Sequence, residues 1–215
     1  MILVYFFYGT ALIVLGLIAF LMPRRNDYFG LRSHLWSIWL FGMIHGSAEW
    51  IEMLALTGRP FDPGMLRIAE VVLLPLSYLF LLIFGASRIA GENKKYGSLI
   101  FLVLLPTTLW SLFVLRGANA VNLNMLARYF ICIPGAMLTA FVLYRDAKRS
   151  AGKDVPVSAS FFAIFAAGAF VFYGIFAGLT TQRAAFFPAT IFNIDNLTSV
   201  FNIPAKVLRD RKSVV

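Results

Sequence analysis

Six apolar stretches separated by short polar gaps organise the chain, at about 1–22, 35–57, 66–87, 98–116, 120–144 and 157–180. Each predicts an α-helix of about twenty residues, the length that crosses a bilayer core about 30 Å thick. Two stretches reach that length only by accepting polar residues. The run 71–86 is completed by Arg67 and Glu70, and the run 129–144 by Asn122, Asn124 and Arg128. Pro75, Pro106 and Pro134 fall inside predicted helices; there a proline removes a backbone donor, frees a carbonyl and can kink the helix. Gly42 with Gly46, and Gly174 with Gly178, are small residues four apart, a spacing that lets helix backbones approach closely. Trp36, Trp50 and Trp110 suit interfacial anchoring. The predicted fold is all-α, a polytopic transmembrane helix bundle. Its six spans form one domain over 1–180, and an outer amphipathic segment and basic tail occupy 181–215.

Composition agrees with a lipid-embedded chain. Of 215 residues, 60% are hydrophobic and only 13% charged, against about 25% charged in soluble domains. The net charge of +9 would suggest nucleic acid in a soluble protein. Here the basic residues crowd the gaps instead, so the partner they imply is the lipid bilayer with its anionic headgroups, not nucleic acid.

The first gap holds Arg24, Arg25 and Arg32, the third Arg88, Lys94 and Lys95, and the fifth Arg145, Lys148, Arg149 and Lys153. The second and fourth gaps offer only Arg59 and Arg116. Positive residues mark cytoplasmic loops, so the odd gaps are read as cytoplasmic and the N-terminus as outside. The start lacks a basic leader, and Arg24 and Arg25 follow its apolar run, which is the pattern of a retained first helix. Six crossings leave the tail outside, although it carries Lys206, Arg209, Arg211 and Lys212 after an amphipathic aromatic stretch at 186–204. The expectation is therefore a seventh span in a longer protein, of which this chain is a piece.

The candidate chemistry lies within the spans. His45, Glu49 and Glu52 are spaced by four and three residues, which places them on one helical face. Glu52 stands about 10 Å further along the helix than His45. A charge at mid-bilayer costs roughly 2.5–3.5 kcal/mol even on lenient scales, so this face should turn inward and meet partners. The assigned orientation puts Glu70 and Arg67 near the outer end of the third span and Arg128 at a comparable depth in the fifth. His45, Glu49, Glu52, Glu70 and Arg128 are the predicted signal- or ligand-binding residues, with Arg128 neutralising a carboxylate. A network that only fixes helix packing would use the same residues. Carboxylates in apolar surroundings retain protons, so proton sensitivity is expected.

Three groups on one face could bind zinc or iron. The only other histidine, His34, lies at the opposite end of that span, and no metal or other cofactor is assigned. Cys132 alone cannot form an intrachain disulfide and reads as a packing residue. Without a phosphate loop, a cysteine cluster or a nucleophile–base pair, no catalytic residue is assigned.

Phe41, Gly42, His45, Gly46, Glu49 and Trp50 resemble a motif of the membrane-embedded input regions of bacterial sensor histidine kinases; some diguanylate cyclases have similar regions. Arg128 and Tyr129 followed by Pro134, Gly135 and Ala136, then Phe172, Tyr173 and Gly174, are similar to later parts of that region. Phe186, Phe187, Pro188, Ala189, Asn193, Ile203 and Pro204 follow in the same order. The resemblance covers about 35–209. It implies a signal-input domain of a two-component system in the bacterial inner membrane and a homodimer. It also implies a seventh span, then cytoplasmic PAS or GAF modules and a kinase core. No phosphoacceptor histidine segment or ATP-binding glycine box is in the chain, so kinase activity would belong to the intact protein. The rival reading is a small ion- or proton-coupled transporter. Such proteins often carry internal repeats, and the first and last three spans show no convincing one.

Overall fold

A computed structural model describes residues 2–22, 27–57, 62–93, 96–117, 119–150, 155–179, 181, 189–191, 193 and 196. The described residues contain helices and no strand. Helix α1 is Ile2–Leu21 and α2 is Leu35–Ala55. Helix α3 begins as Pro63–Ile68, passes through a π-helical turn at Ala69–Leu73 and continues as Leu74–Asn93. Helix α4 is Tyr96–Leu115. Helix α5 runs Ala120–Ala127, a second π turn Arg128–Cys132, then Ile133–Ser150, and α6 is Val157–Leu179.

The six predicted stretches thus each contain a helix, with α3 and α5 several residues longer than their apolar runs. Four helical segments are long and apolar enough to cross a membrane, namely Ile2–Leu21, Gly64–Ala90, Val121–Ser150 and Val157–Ala177. Arg24, Arg25, Arg59, Lys94, Lys95 and Lys153 lie outside the described residues, as does most of the expected outer segment and basic tail.

Local chemistry sets several boundaries. Asp62 caps α3 by accepting from the Gly64 N–H at 2.9 Å, with Pro63 in the first turn where its missing donor costs nothing. Asn119 caps α5 in the same way through the Asn122 N–H at 2.8 Å. Beyond α4, Gly117 takes a positive φ of 71° that turns the chain out of the helix.

Each π turn ends two residues before a proline, Pro75 in α3 and Pro134 in α5. Proline in a regular helix collides with the carbonyl four residues back. The wider turn relieves this, and the Leu74 and Ile133 N–H groups close it on the carbonyls of Ala69 and Arg128. Pro106, by contrast, sits within continuous α-helix.

Helices α2, α3, α5 and α6 surround a common centre, with α1 laid on α2 and α4 on α3. The α1–α2 contact is antiparallel and very close. A Cβ on Gly42 would stand 2.5 Å from the Leu12 carbonyl oxygen, and one on Gly46 2.6 Å from that of Gly9. The predicted glycine pair is therefore a packing face. Helices α3 and α5 run parallel, since contacts step the same way along both: Leu82 with Gly135, Gly85 with Leu138 and Thr139, Arg88 with Asp146.

Apolar and polar positions are arranged as in lipid-embedded proteins. Leu3, Val4, Phe7, Ile18 and Leu21 of α1 and Phe161, Phe162, Phe165, Phe172 and Phe176 of α6 face outward. His45, Glu49, Glu52, Ser77 and Thr139 are buried. Apolar patches of this extent mark contact with a partner or a membrane. With four helices of spanning length, they define a helical membrane protein.

Candidate functional site

The buried face of α2 places His45 at the centre of the bundle, 2% exposed. Its Nδ1 lies 2.9 Å from Ser77 Oγ on α3, and its Nε2 lies 3.5 Å from Glu49 Oε1 one turn along α2. Four rings enclose the imidazole. Phe41 and Tyr78 are at 5.4 and 5.3 Å between centroids, and Tyr8 of α1 and Tyr173 of α6 meet it edge-on at 6.0 and 5.9 Å. Aromatic edges and faces fill the space about the ring without competing for its nitrogens.

The hydrogen-bond directions around Ser77 are fixed by its single proton. Ser77 Oγ is 2.7 Å from the Leu74 carbonyl oxygen, which can only accept. The Ser77 hydroxyl therefore donates to Leu74, and its oxygen accepts from His45 Nδ1–H. That leaves Nε2 as the nitrogen turned toward Glu49.

Helix α5 supplies the positive charge. The π turn begins at Arg128, whose Nε donates to Asn124 Oδ1 at 3.1 Å and whose Nη1 reaches the Ala177 carbonyl of α6 at 3.5 Å. Its guanidinium lies within electrostatic range of Tyr78, Glu52 and Glu49. One helical turn further along α5, Cys132 is fully buried beside Tyr173. The Tyr173 hydroxyl is buried against that thiol and has no oxygen or nitrogen partner among the described residues. Among the described residues no group of three or more histidine, cysteine or acidic side chains has the geometry of a metal site.

Of the predicted site residues, the fold brings together His45, Glu49, Glu52 and Arg128. Glu70 lies half-buried on the π turn of α3, seven residues and therefore about 10 Å before Ser77. Arg67 is exposed. Sequence reasoning missed Tyr8, Ser77 and Tyr78, named Tyr173 only through the resemblance and without a role, and took Cys132 for packing alone. Tyrosine and serine are unremarked in apolar runs; the usable signal was Ser77 and Tyr78 adjoining a helix-breaking Pro75.

A second polar cluster closes the other end of the bundle. Asp146, buried near the end of α5, accepts from Arg88 Nε of α3 at 2.9 Å and from Arg145 Nη2 at 3.0 Å. Arg88 also donates to the Phe29 carbonyl at 3.0 Å, and His34 Nδ1 meets Ser87 Oγ at 3.0 Å. The first, third and fifth gaps are joined by these contacts. Partial burial, with the Arg88 guanidinium adding to it, holds the His34 pKa below the usual histidine value.

No protein-family model, curated protein or solved structure matches the chain. The bundle defines its class as a helical membrane protein; the site is read from its own chemistry.

Proposed function

We propose that this chain is the membrane signal-input domain of a two-component histidine kinase, with the His45, Glu49, Glu52 and Arg128 cluster as its sensing site. In this reading α1 to α6 all cross the bacterial inner membrane. The N-terminus is outside, and the Arg88–Asp146 end faces the cytoplasm, where basic residues concentrate. The intact protein works as a homodimer that drives a cytoplasmic kinase module.

One observation carries the proposal. Ionisable groups from separate helices meet inside an apolar bundle, where each must be compensated by the others. A change in charge or occupancy there alters how several helices pack. A stimulus shifts such a bundle between two states only by binding one state better than the other. The π turns beside the cluster, at Ala69–Leu73 and Arg128–Cys132, supply helical segments that can change register. The motif around His45 and Glu49 points the same way by resemblance.

The test joins the chain to a histidine-kinase core in nanodiscs and measures autophosphorylation. Glu49→Gln and Arg128→Ala should each shift the basal output. Output and fold both unchanged in both variants would remove the sensing site. The same buried cluster would also serve a proton-coupled carrier. Proton or ion flux in proteoliposomes, abolished by Glu49→Gln, would favour that function instead.

A further inference from the structure

We propose that the cleft between α3 and α4 is a binding site for a neutral hydrocarbon chain that carries a hydroxyl group. The site lies apart from the His45 cluster and does not rest on the sensing reading.

The cleft has a volume of about 440 Å³, within the roughly 300–1,000 Å³ of small-molecule sites. An engineered cavity of about 150 Å³ holds one benzene ring, so on that scale this one takes roughly eighteen carbon atoms. Val72, Pro75, Leu76 and Leu79 of α3 form one wall, joined by the buried Ile131 of α5. The facing wall is α4, and its Trp110 is held in place. The indole Nε1–H donates to the Leu123 carbonyl of α5 at 2.9 Å. Phe113 of α4 stacks on Phe130 of α5 at 6.2 Å between centroids, which ties the same two helices together. With its indole pinned to α5, this wall is preformed.

Charge selects the occupant first. No charged side chain lines the cleft, and an ion at membrane depth needs a counter-charge. Val72 and Leu76 of its wall are exposed, on a surface that the bundle leaves to lipid. What enters is therefore uncharged and comes from the hydrocarbon phase.

The hydroxyls of α4 select further. Thr107 donates to the Val103 carbonyl at 2.8 Å, and Ser111 to the Thr108 carbonyl at 2.9 Å. Such bonds back to the preceding turn are the usual way for hydroxyls to be satisfied in apolar helices. Ser111 has thereby used its single proton, and its oxygen can only accept from a ligand. Thr108 is different. It is exposed on a stripe between Leu104 and Leu112, and its hydroxyl makes no hydrogen bond to a described residue. An unpaired hydroxyl facing hydrocarbon costs free energy, so Thr108 is the donor that the cleft has to offer. Thr108 and Ser111 are three apart on one helical face, with Cβ atoms about 5–6 Å from each other. One ligand hydroxyl between them accepts from Thr108 and donates to Ser111. An ether or ester oxygen would satisfy only Thr108, and a bare alkane neither.

The test uses the full chain in phosphatidylcholine nanodiscs and hexadecanol with a photoreactive diazirine in mid-chain, the labelled peptides being mapped by mass spectrometry. Labelling should concentrate on 71–79 and 107–111 and be competed by unlabelled hexadecanol. Hexadecyl methyl ether, which cannot donate, should compete about three- to tenfold less well, the worth of one hydrogen bond. Thr108→Val keeps the shape, removes the hydroxyl and should weaken hexadecanol by a similar factor. Leu76→Trp should fill the cleft and abolish labelling there, whereas Gly168→Ala on α6 should leave it unchanged. Label spread evenly over the lipid-facing helices overturns the site. So does equal labelling by phosphatidylcholine with the same diazirine chain that hexadecanol does not displace, since it marks bulk lipid alone. Equal competition by alcohol and ether, or an unchanged Thr108→Val, overturns the hydroxyl specificity. If Leu76→Trp does not fold, Thr108→Val, a change at an exposed position, decides with the ether. No kinase output is read, so failure of the sensor reading leaves these results standing.

Discussion

Replacing Gly42 by alanine should push α1 away from α2 and loosen their packing. The added Cβ would lie 2.5 Å from the Leu12 carbonyl oxygen, 2.7 Å from the Gly16 nitrogen and 2.8 Å from the Gly16 Cα. All three are backbone atoms, so no side chain can swing away. To reach ordinary contact near 3.4 Å, the helices must part by about 0.9 Å. Overpacking of this kind costs about 1–3 kcal/mol, while alanine's better helix propensity returns at most about 1 kcal/mol. Lipid supplies no hydrophobic drive to hold the pair together, so lost backbone contact is not replaced.

For a chain of this size, 1–2 kcal/mol corresponds to a fall in Tm of about 2–8 °C. Gly42→Leu should lower it further. Thermal unfolding in detergent can be followed with a thiol-reactive dye, because the single cysteine, Cys132, is fully buried in the fold. Gly168→Ala on α6 is the matched control, since a Cβ there meets nothing within 4 Å. Gly42→Ala as stable as Gly168→Ala would refute the close α1–α2 packing.

Other consequences are as direct. Asp146→Ala leaves Arg88 and Arg145 without their carboxylate at a buried position and should cost about 3–5 kcal/mol, read by the same dye assay; Asp146→Asn, which keeps hydrogen-bonding atoms, should cost less. His34, whose pKa is lowered in the fold, binds its proton more weakly there than in the unfolded chain. Stability should therefore fall as pH drops through about 6.5 and level off below the folded pKa. His34→Gln should remove that part of the pH dependence, and an unaltered slope would contradict it. Ser77→Ala removes the acceptor of His45 Nδ1–H and should destabilise the protein by about 1–3 kcal/mol; a Tm equal to the unmodified protein's would count against that bond.

Much of the architecture was legible in the chain because lipid imposes a simple rule. Apolar runs of about twenty residues must be helical to satisfy their backbone. The six helices and the Gly42–Gly46 packing face follow from that rule, and so does the inward turn of His45, Glu49 and Glu52. Their spacing alone puts these three on one face, and burial cost turns that face inward.

What meets that face was decided only by the tertiary structure. Ser77 is His45's partner because α3 runs antiparallel to α2 with Ser77 at the right height, and nothing in a lone serine announces this. Tyr8 and Tyr173 come from the chain's first and sixth helices, and their enclosure of His45 depends on how four helices converge. The π turns show the same division. Pro75 and Pro134 announce a broken helix, but whether the break becomes a kink or a widened turn depends on neighbours packed around it. The Arg88–Asp146 link was equally hidden, because Asp146 sits among basic residues in the chain and finds Arg88 only through the parallel packing of α3 and α5. Local periodicity encodes which side of a helix is buried, whereas the identity of each partner depends on helix order and register, which long-range packing alone sets.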